Sequence, residues 1–170
     1  MDRTIHRFTA AIVMGVSGCG KTTIGRMLAT YLGWVYIESD DYHSKEDIQK
    51  MSGGIPLTDE DRWPWLTRLH NLMLEYEKKE QPVILACSAL KESYRQLLAK
   101  DLKNVVFIYL KGDYDLIWER MQQRHHFMKA DMLKSQFAAL EEPQKAIVVN
   151  IHETQDSIVQ ELVSKINALL

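Results

Sequence analysis

Apolar residues run along this chain in two alternating rhythms. Short, near-continuous apolar runs occupy 8–14, 34–37, 82–86, 105–110 and 146–151, and they are rich in β-branched and aromatic residues. Runs of this kind, without polar alternation, predict parallel strands covered on both faces. Between them, apolar residues recur at helical spacing. Ile24, Met27, Leu28, Tyr31 and Leu32 form one stripe, and Trp65, Leu66, Leu69, Leu72, Met73 and Tyr76 a second. Leu90, Tyr94, Leu97 and Leu98 form a third, and Ile158, Val159, Leu162, Val163, Ile166 and Leu169 a fourth. The alternation predicts a single doubly wound α/β domain over 1–170, with a five-stranded parallel sheet and helices on both faces. Gly33 is placed to end the first helix.

Two stretches break this rhythm. The first, 41–64, is polar and punctuated by Gly53, Gly54, Pro56 and Pro64. Ser44 with Asp47, and Thr58 with Asp61, have capping-box spacing, so short helices are expected there. Pro64 suits a first helical position, so the long helix is expected to begin at it. The second stretch, 119–136, sets Arg120, Arg124, His125, His126 and Lys129 around a few apolar residues. We read 41–64 as a substrate-holding segment and 119–136 as a cationic lid.

Charge narrows the function classes. Lys and Arg total 21 against 23 Asp and Glu, a net charge of −2, with no basic run to serve as a nucleic-acid footprint. No apolar run approaches the roughly 20 residues a membrane helix needs, and no signal-peptide pattern is seen. The two cysteines, Cys19 and Cys87, have no metal or redox spacing. A cytosolic protein is expected. The His125-His126 pair has no companion at metal-ligand spacing, which argues against zinc.

The chemistry starts at Gly15-Val16-Ser17-Gly18-Cys19-Gly20-Lys21-Thr22, a full match to G-x-x-x-x-G-K-[ST] between a predicted strand and a predicted helix. Its glycines let the backbone curl around an anion, and the following helix aims its positive end at the phosphates. Lys21 supplies a mobile cation for the β- and γ-phosphates, and the Thr22 hydroxyl a direct Mg²⁺ ligand. Thr23 extends the binding stretch. The reading is a site for ATP and Mg²⁺. Cys19 is read as a small residue whose backbone N–H matters, with oxidation that blocks nucleotide binding as the sharper alternative.

Other candidates cluster at strand ends, where open α/β sheets bind ligands. Strand periodicity points Glu38 and Asp40 the same way if the extended backbone persists that far. One carboxylate is suited to the water shell of Mg²⁺ and the other to the attacking hydroxyl. His43 is a candidate for substrate contact or for simple packing, and Arg62 for a surface ion pair or for a substrate carboxylate. Ser88 and Ala89 follow a strand and open a helix that carries Lys91 and Arg95 one turn apart. Arg120 and Arg124 have the same spacing, suited to neutralising charge during transfer.

In sum these residues resemble the gluconate kinase (gluconokinase) family. The resemblance rests on Met14 to Thr22, Asp40-Asp41-Tyr42-His43, the block Lys50 to Leu66 and Cys87-Ser88-Ala89-Leu90-Lys91 with Tyr94-Arg95. It continues through His126-Phe127-Met128, Leu133 to Phe137 and Leu140-Glu141-Glu142-Pro143. It implies a three-layer P-loop kinase fold, nucleoside-monophosphate-kinase-like with a mobile lid and related to shikimate kinase. It further implies ATP- and Mg²⁺-dependent phosphorylation of the 6-hydroxyl of D-gluconate, and a homodimer. By the same resemblance Asp40 contacts the substrate hydroxyl, while His43, Arg62, Ser88, Lys91 and Arg95 line the substrate pocket. Lys21, Arg120 and Arg124 then join Asp40 as catalytic residues, and Glu38 and Asp40 approach the metal through water. The chain departs from the family at Glu38, where Asp is usual, at Ser44, where proline is common, and in a lid region one residue shorter.

Two other readings make different predictions. A kinase for shikimate or a nucleoside monophosphate would share the fold and not the acceptor. A nucleotide switch would usually carry Asp-x-x-Gly and Asn-Lys-x-Asp segments, and the sequence has neither.

Overall fold

The computed structural model describes residues 8–123 and 130–169. Its strands are β1 (Ala10–Met14), β2 (Val35–Glu38), β3 (Val83–Ala86), β4 (Val105–Lys111) and β5 (Ile147–Asn150). They form one parallel sheet in the order β2-β3-β1-β4-β5. The helices are α1 (Lys21–Leu32), α2 (Lys45–Ser52), α3 (Asp59–Lys78), α4 (Glu92–Ala99), α5 (Tyr114–Gln123), α6 (Ala130–Ala139) and α7 (Gln155–Leu169).

Strand pleating sorts the core into two layers. Ala10, Ile12 and Met14 of β1 face one way, onto Trp65, Leu66, Leu69 and Met73 of α3 and Tyr94 and Leu98 of α4. Ala11 and Val13 face the other way, with Ile24 and Leu28 of α1, Ile117 and Met121 of α5 and Ile158 and Leu162 of α7. Successive strand residues point to opposite faces, so a fully buried β1 must be apolar at every position. Helices therefore cover both faces of the sheet, as expected.

Local signals hold at several helix ends. Gly33 takes φ 69° after α1 and donates its N–H to Ala29 O. Ser44 caps α2 by accepting from Asp47 N–H at 3.1 Å. Pro64 is a correction. Helix α3 begins at Asp59, because Thr58 and Asp61 form a reciprocal capping box that starts the helix one turn earlier. Pro64 then lies inside the helix on its exposed side, where the missing N–H is tolerated next to solvent.

Because all strands are parallel, the loops after β1, β2 and β3 leave the same edge of the sheet from neighbouring strands. That edge carries the site.

Candidate functional site

The loop after β1 runs from Gly15 into α1, and three positive-φ glycines bend it: Gly15 (146°), Gly18 (80°) and Gly20 (102°). A Cβ at Gly18 would lie 2.6 Å from Met121 Cγ, so α5 presses directly on the loop. Gly15 N–H donates to Ser88 O at 3.2 Å, tying the loop to the end of β3. The first helical bond of α1 is Ile24 N–H to Gly20 O, so the N–H groups of Lys21 to Thr23 have no acceptor within the helix. Lys21 Nζ folds back to Val16 O at 2.9 Å. Cys19 is buried, with its sulfur in the space a Gly15 Cβ would need. The thiol therefore packs inside the loop.

Thr22 and Glu38 meet: the Thr22 hydroxyl donates to Glu38 Oε2 at 2.8 Å. Tyr36 OH also donates to that oxygen. Burial and then Glu38 push the Tyr36 phenol above its usual range, so it stays a donor. Thr22, Glu38 and Asp40 offer only oxygen donors, which fits a hard cation such as Mg²⁺. Among the described residues no group of three His, Cys, Asp or Glu forms a metal cage. A hydroxyl with nearby carboxylates suits a metal that keeps water and phosphate as its other ligands.

The expectation that extended backbone carries Glu38 and Asp40 onto one face is corrected. β2 ends at Glu38, and Ser39–Tyr42 form a 3₁₀ turn. Trp65 Nε1–H holds Ser39 O at 2.8 Å and Arg68 Nε–H holds Tyr42 O at 2.9 Å, fixing the turn to α3. The Asp40 side chain is 79% exposed to solvent, with protein packed on its inner side. Partial desolvation by that protein, then the Glu38 charge, raise its pKa above the usual carboxylate range, while Lys21 and His43 pull it down. His43 Nε2 lies 3.8 Å from Asp40 Oδ1. Its ring stacks on Trp65 at 4.1 Å, and burial lowers its pKa, so the imidazole is neutral at neutral pH. His43 Nδ1 is buried, with no hydrogen-bond partner among the described residues.

A third group joins α3 to the loop after β3. Lys91 Nζ donates to Asp59 Oδ1 at 3.1 Å, and Arg62 NH1 to Tyr94 OH at 3.0 Å. Tyr94 OH donates to Asp59 Oδ1, while Arg62 and Lys91 both lie over the Tyr94 ring. The hydrogen bond from Tyr94, then that from Lys91, lower the Asp59 pKa. The bond to Asp59 raises that of Lys91. Two cations, Arg62 and Lys91, against one carboxylate, Asp59, leave a net positive cluster matched to an anionic ligand. Ser88, partly exposed, is tied to the phosphate loop through its carbonyl, which accepts the Gly15 N–H.

Arg95 is a further correction. It is 3% exposed, and its guanidinium is spent on Ala89 O (2.7 Å), Glu141 O (2.9 Å) and the Glu92 carboxylate (3.0 Å). Ala89 is held at φ 44°, a left-handed conformation that costs an L-residue about 1–2 kcal/mol. Arg95 thus clamps a turn and does not share a ligand-facing side with Lys91. The start of α4 is also taken, since Glu92 N–H donates to the Glu141 carboxylate at 2.8 Å.

Arg120, on α5, donates to Ile151 O at 2.7 Å. It borders a cavity of about 290 Å³ beside the loop, with Gly18, Gly20, Gln123, Ile151 and Thr154. The second cationic residue of the expected lid, Arg124, lies outside the described residues, as do His125, His126 and Lys129.

Sequence reasoning missed Asp59, Tyr94 and Tyr36. Tyr94 falls in an apolar stripe, yet a buried phenol needs a partner for its hydroxyl, and that is the signal the sequence offers.

A shikimate kinase family model matches residues 17–167. The thermosensitive gluconokinase of Escherichia coli K12 is 51% identical over 134 residues, covering 78% of this chain and 72% of that protein. The gluconokinase of Gluconobacter oxydans is 42% identical over 161 residues, covering 92% of this chain and 90% of that protein. The crystal structure of a gluconokinase from Sinorhizobium meliloti superposes with a TM-score of 0.87 at 38% identity, over 96% of this chain and 95% of that one.

Proposed function

Because this chain belongs to the gluconokinase family of P-loop kinases, related to shikimate kinase, we propose that it transfers the γ-phosphoryl group of ATP to the 6-hydroxyl of D-gluconate. It is a phosphotransferase with an alcohol as acceptor. One observation carries the choice of acceptor. A net positive cluster of Arg62 and Lys91 lies on the same sheet edge as the phosphate loop and Asp40. A polyol with a carboxylate at one end and a hydroxyl at the other matches that layout, with the carboxylate toward the cations.

In this reading the loop backbone and Lys21 hold the triphosphate, and His43 and Ser88 position the acceptor. Asp40 accepts the proton of the attacking hydroxyl, and its raised pKa makes it a better base than an ordinary carboxylate. Thr22 would hold Mg²⁺ directly, with Glu38 and Asp40 reaching it through water; the ion supplies neutralisation of phosphate charge. Arg120 is assigned to charge that develops during in-line transfer, and Arg124 stands with it on its one-turn spacing and on the resemblance. The chain acts as one kinase domain, in the cytosol, as a homodimer.

The test is product identity. Incubation with ATP, Mg²⁺ and D-gluconate, followed by phosphorus and carbon NMR, is expected to show a phosphate ester at C6, abolished by EDTA. Phosphate on another carbon, or none, overturns the reading.

A further inference from the structure

The phosphate loop is held from one more side, by a residue the reading above does not use. Gln136 of α6 faces Ser17 with both ends of its carboxamide. Its Oε1 accepts the Ser17 N–H at 2.6 Å, and its Nε2 donates to Ser17 Oγ at 2.9 Å. Two parallel bonds fix both the rotation of the carboxamide and the peptide orientation at Ser17, the third residue of the loop. A single bond would leave one of these free.

The same helix is anchored at its far end. Leu140 N–H closes α6 onto Gln136 O, and Glu141 N–H then donates to Leu90 O at 2.7 Å. Glu141 also caps α4 and receives Arg95. The loop in turn reaches that region through Gly15 N–H and Ser88 O. Hydrogen bonds and short stretches of backbone therefore close a ring through Ser17, Gln136, Glu141, the turn after β3 and Gly15. Met121 packs on Gly18 from the neighbouring helix.

We propose that Gln136 is a positioning residue for the nucleotide. It presets the loop at Ser17 so that the N–H groups at the start of α1 are already aligned when a triphosphate arrives. The neutrality of the side chain is part of the role. A glutamate of the same shape would still accept the Ser17 N–H and hydroxyl, but would set a full negative charge against an anion site. This inference rests on the kinase reading, since it requires that the loop bind phosphate.

The test is calorimetric titration of Mg²⁺ with a non-hydrolysable ATP analogue into the full-length wild type, Gln136→Ala and Gln136→Glu. Thermal melting and ATP kinetics are run alongside. Gln136→Ala is expected to weaken nucleotide affinity about five- to tenfold, the worth of one or two hydrogen bonds. The KM for ATP should rise more than kcat falls. Gln136→Glu is expected to melt near the wild type yet bind more weakly than Gln136→Ala, with affinity recovering as pH falls and the introduced carboxylate protonates. A role limited to helix packing gives the opposite ranking: Gln136→Glu restores both melting and affinity, which overturns the proposal. Affinity of Gln136→Ala within about twofold of wild type also overturns it. If Gln136→Ala does not fold, the pH-dependent loss in Gln136→Glu decides alone. Wild type that binds no nucleotide at all overturns the kinase reading itself, which distinguishes that failure from this one.

Discussion

At Asp40 a carboxylate stands open to solvent, while partial desolvation and then the Glu38 charge make its ionised form less favourable. As a base it must be deprotonated. The kcat/KM for gluconate is therefore expected to rise with pH through a value above the ordinary aspartate pKa of about 3.9, and to level off beyond it. Asp40→Asn should lower kcat by roughly 10²–10³ and abolish that acidic limb, and a retained limb would remove Asp40 from the proton transfer. Arg95 makes the contrasting case. Its replacement by alanine strips the donors from two carbonyls and releases the left-handed turn at Ala89. A loss of roughly 2–4 kcal/mol in chemical denaturation is expected, with little change in the KM for gluconate. A large KM change at unchanged stability would return Arg95 to the substrate pocket.

Among the elements, α3 owes its start to Thr58 and Asp61. Thr58→Ala should cost about 1 kcal/mol in urea unfolding. Asp61 is held down at about 2, first by the Thr58 N–H and then by Lys50. A depressed carboxylate stabilises the fold fully above the unfolded value near 3.9 and loses that contribution as pH falls toward the folded value. Asp61→Asn should thus be destabilising at pH 6, and its deficit should shrink steadily below pH 4. The capping pair was legible because it is local, two residues at a fixed spacing. β1 and β3 were legible for a similar reason, since a strand buried on both faces has to be apolar throughout. Pro64 misled because proline at a first helical position is a preference, and the capping box one turn earlier outweighs it. Arg95 and Gln136 were beyond local reading. The partners that define them, Glu141 and Ser17, lie 46 and 119 residues away in sequence.

For the whole molecule, the parallel sheet brings three loops to one edge, so the phosphate loop, the Asp40 turn and the turn that carries Ser88 and Ala89 gather where β1, β2 and β3 end. That the candidate residues gather at the carboxyl ends of parallel strands was predictable from the fold class, but the division of labour among them was not. Whether a cation turns toward a ligand or toward a buried carbonyl is decided by packing. The homodimer is expected to sediment at twice the chain mass of 19.7 kDa, and a single species at that mass would refute it. The central claim is phosphoryl transfer to one particular acceptor. Its most direct test is coupled ADP release with ATP and Mg²⁺, run without acceptor and with D-gluconate, shikimate or AMP. The account predicts release that depends on gluconate. Release driven by shikimate or AMP and not by gluconate, or slow release indifferent to any acceptor, would contradict it.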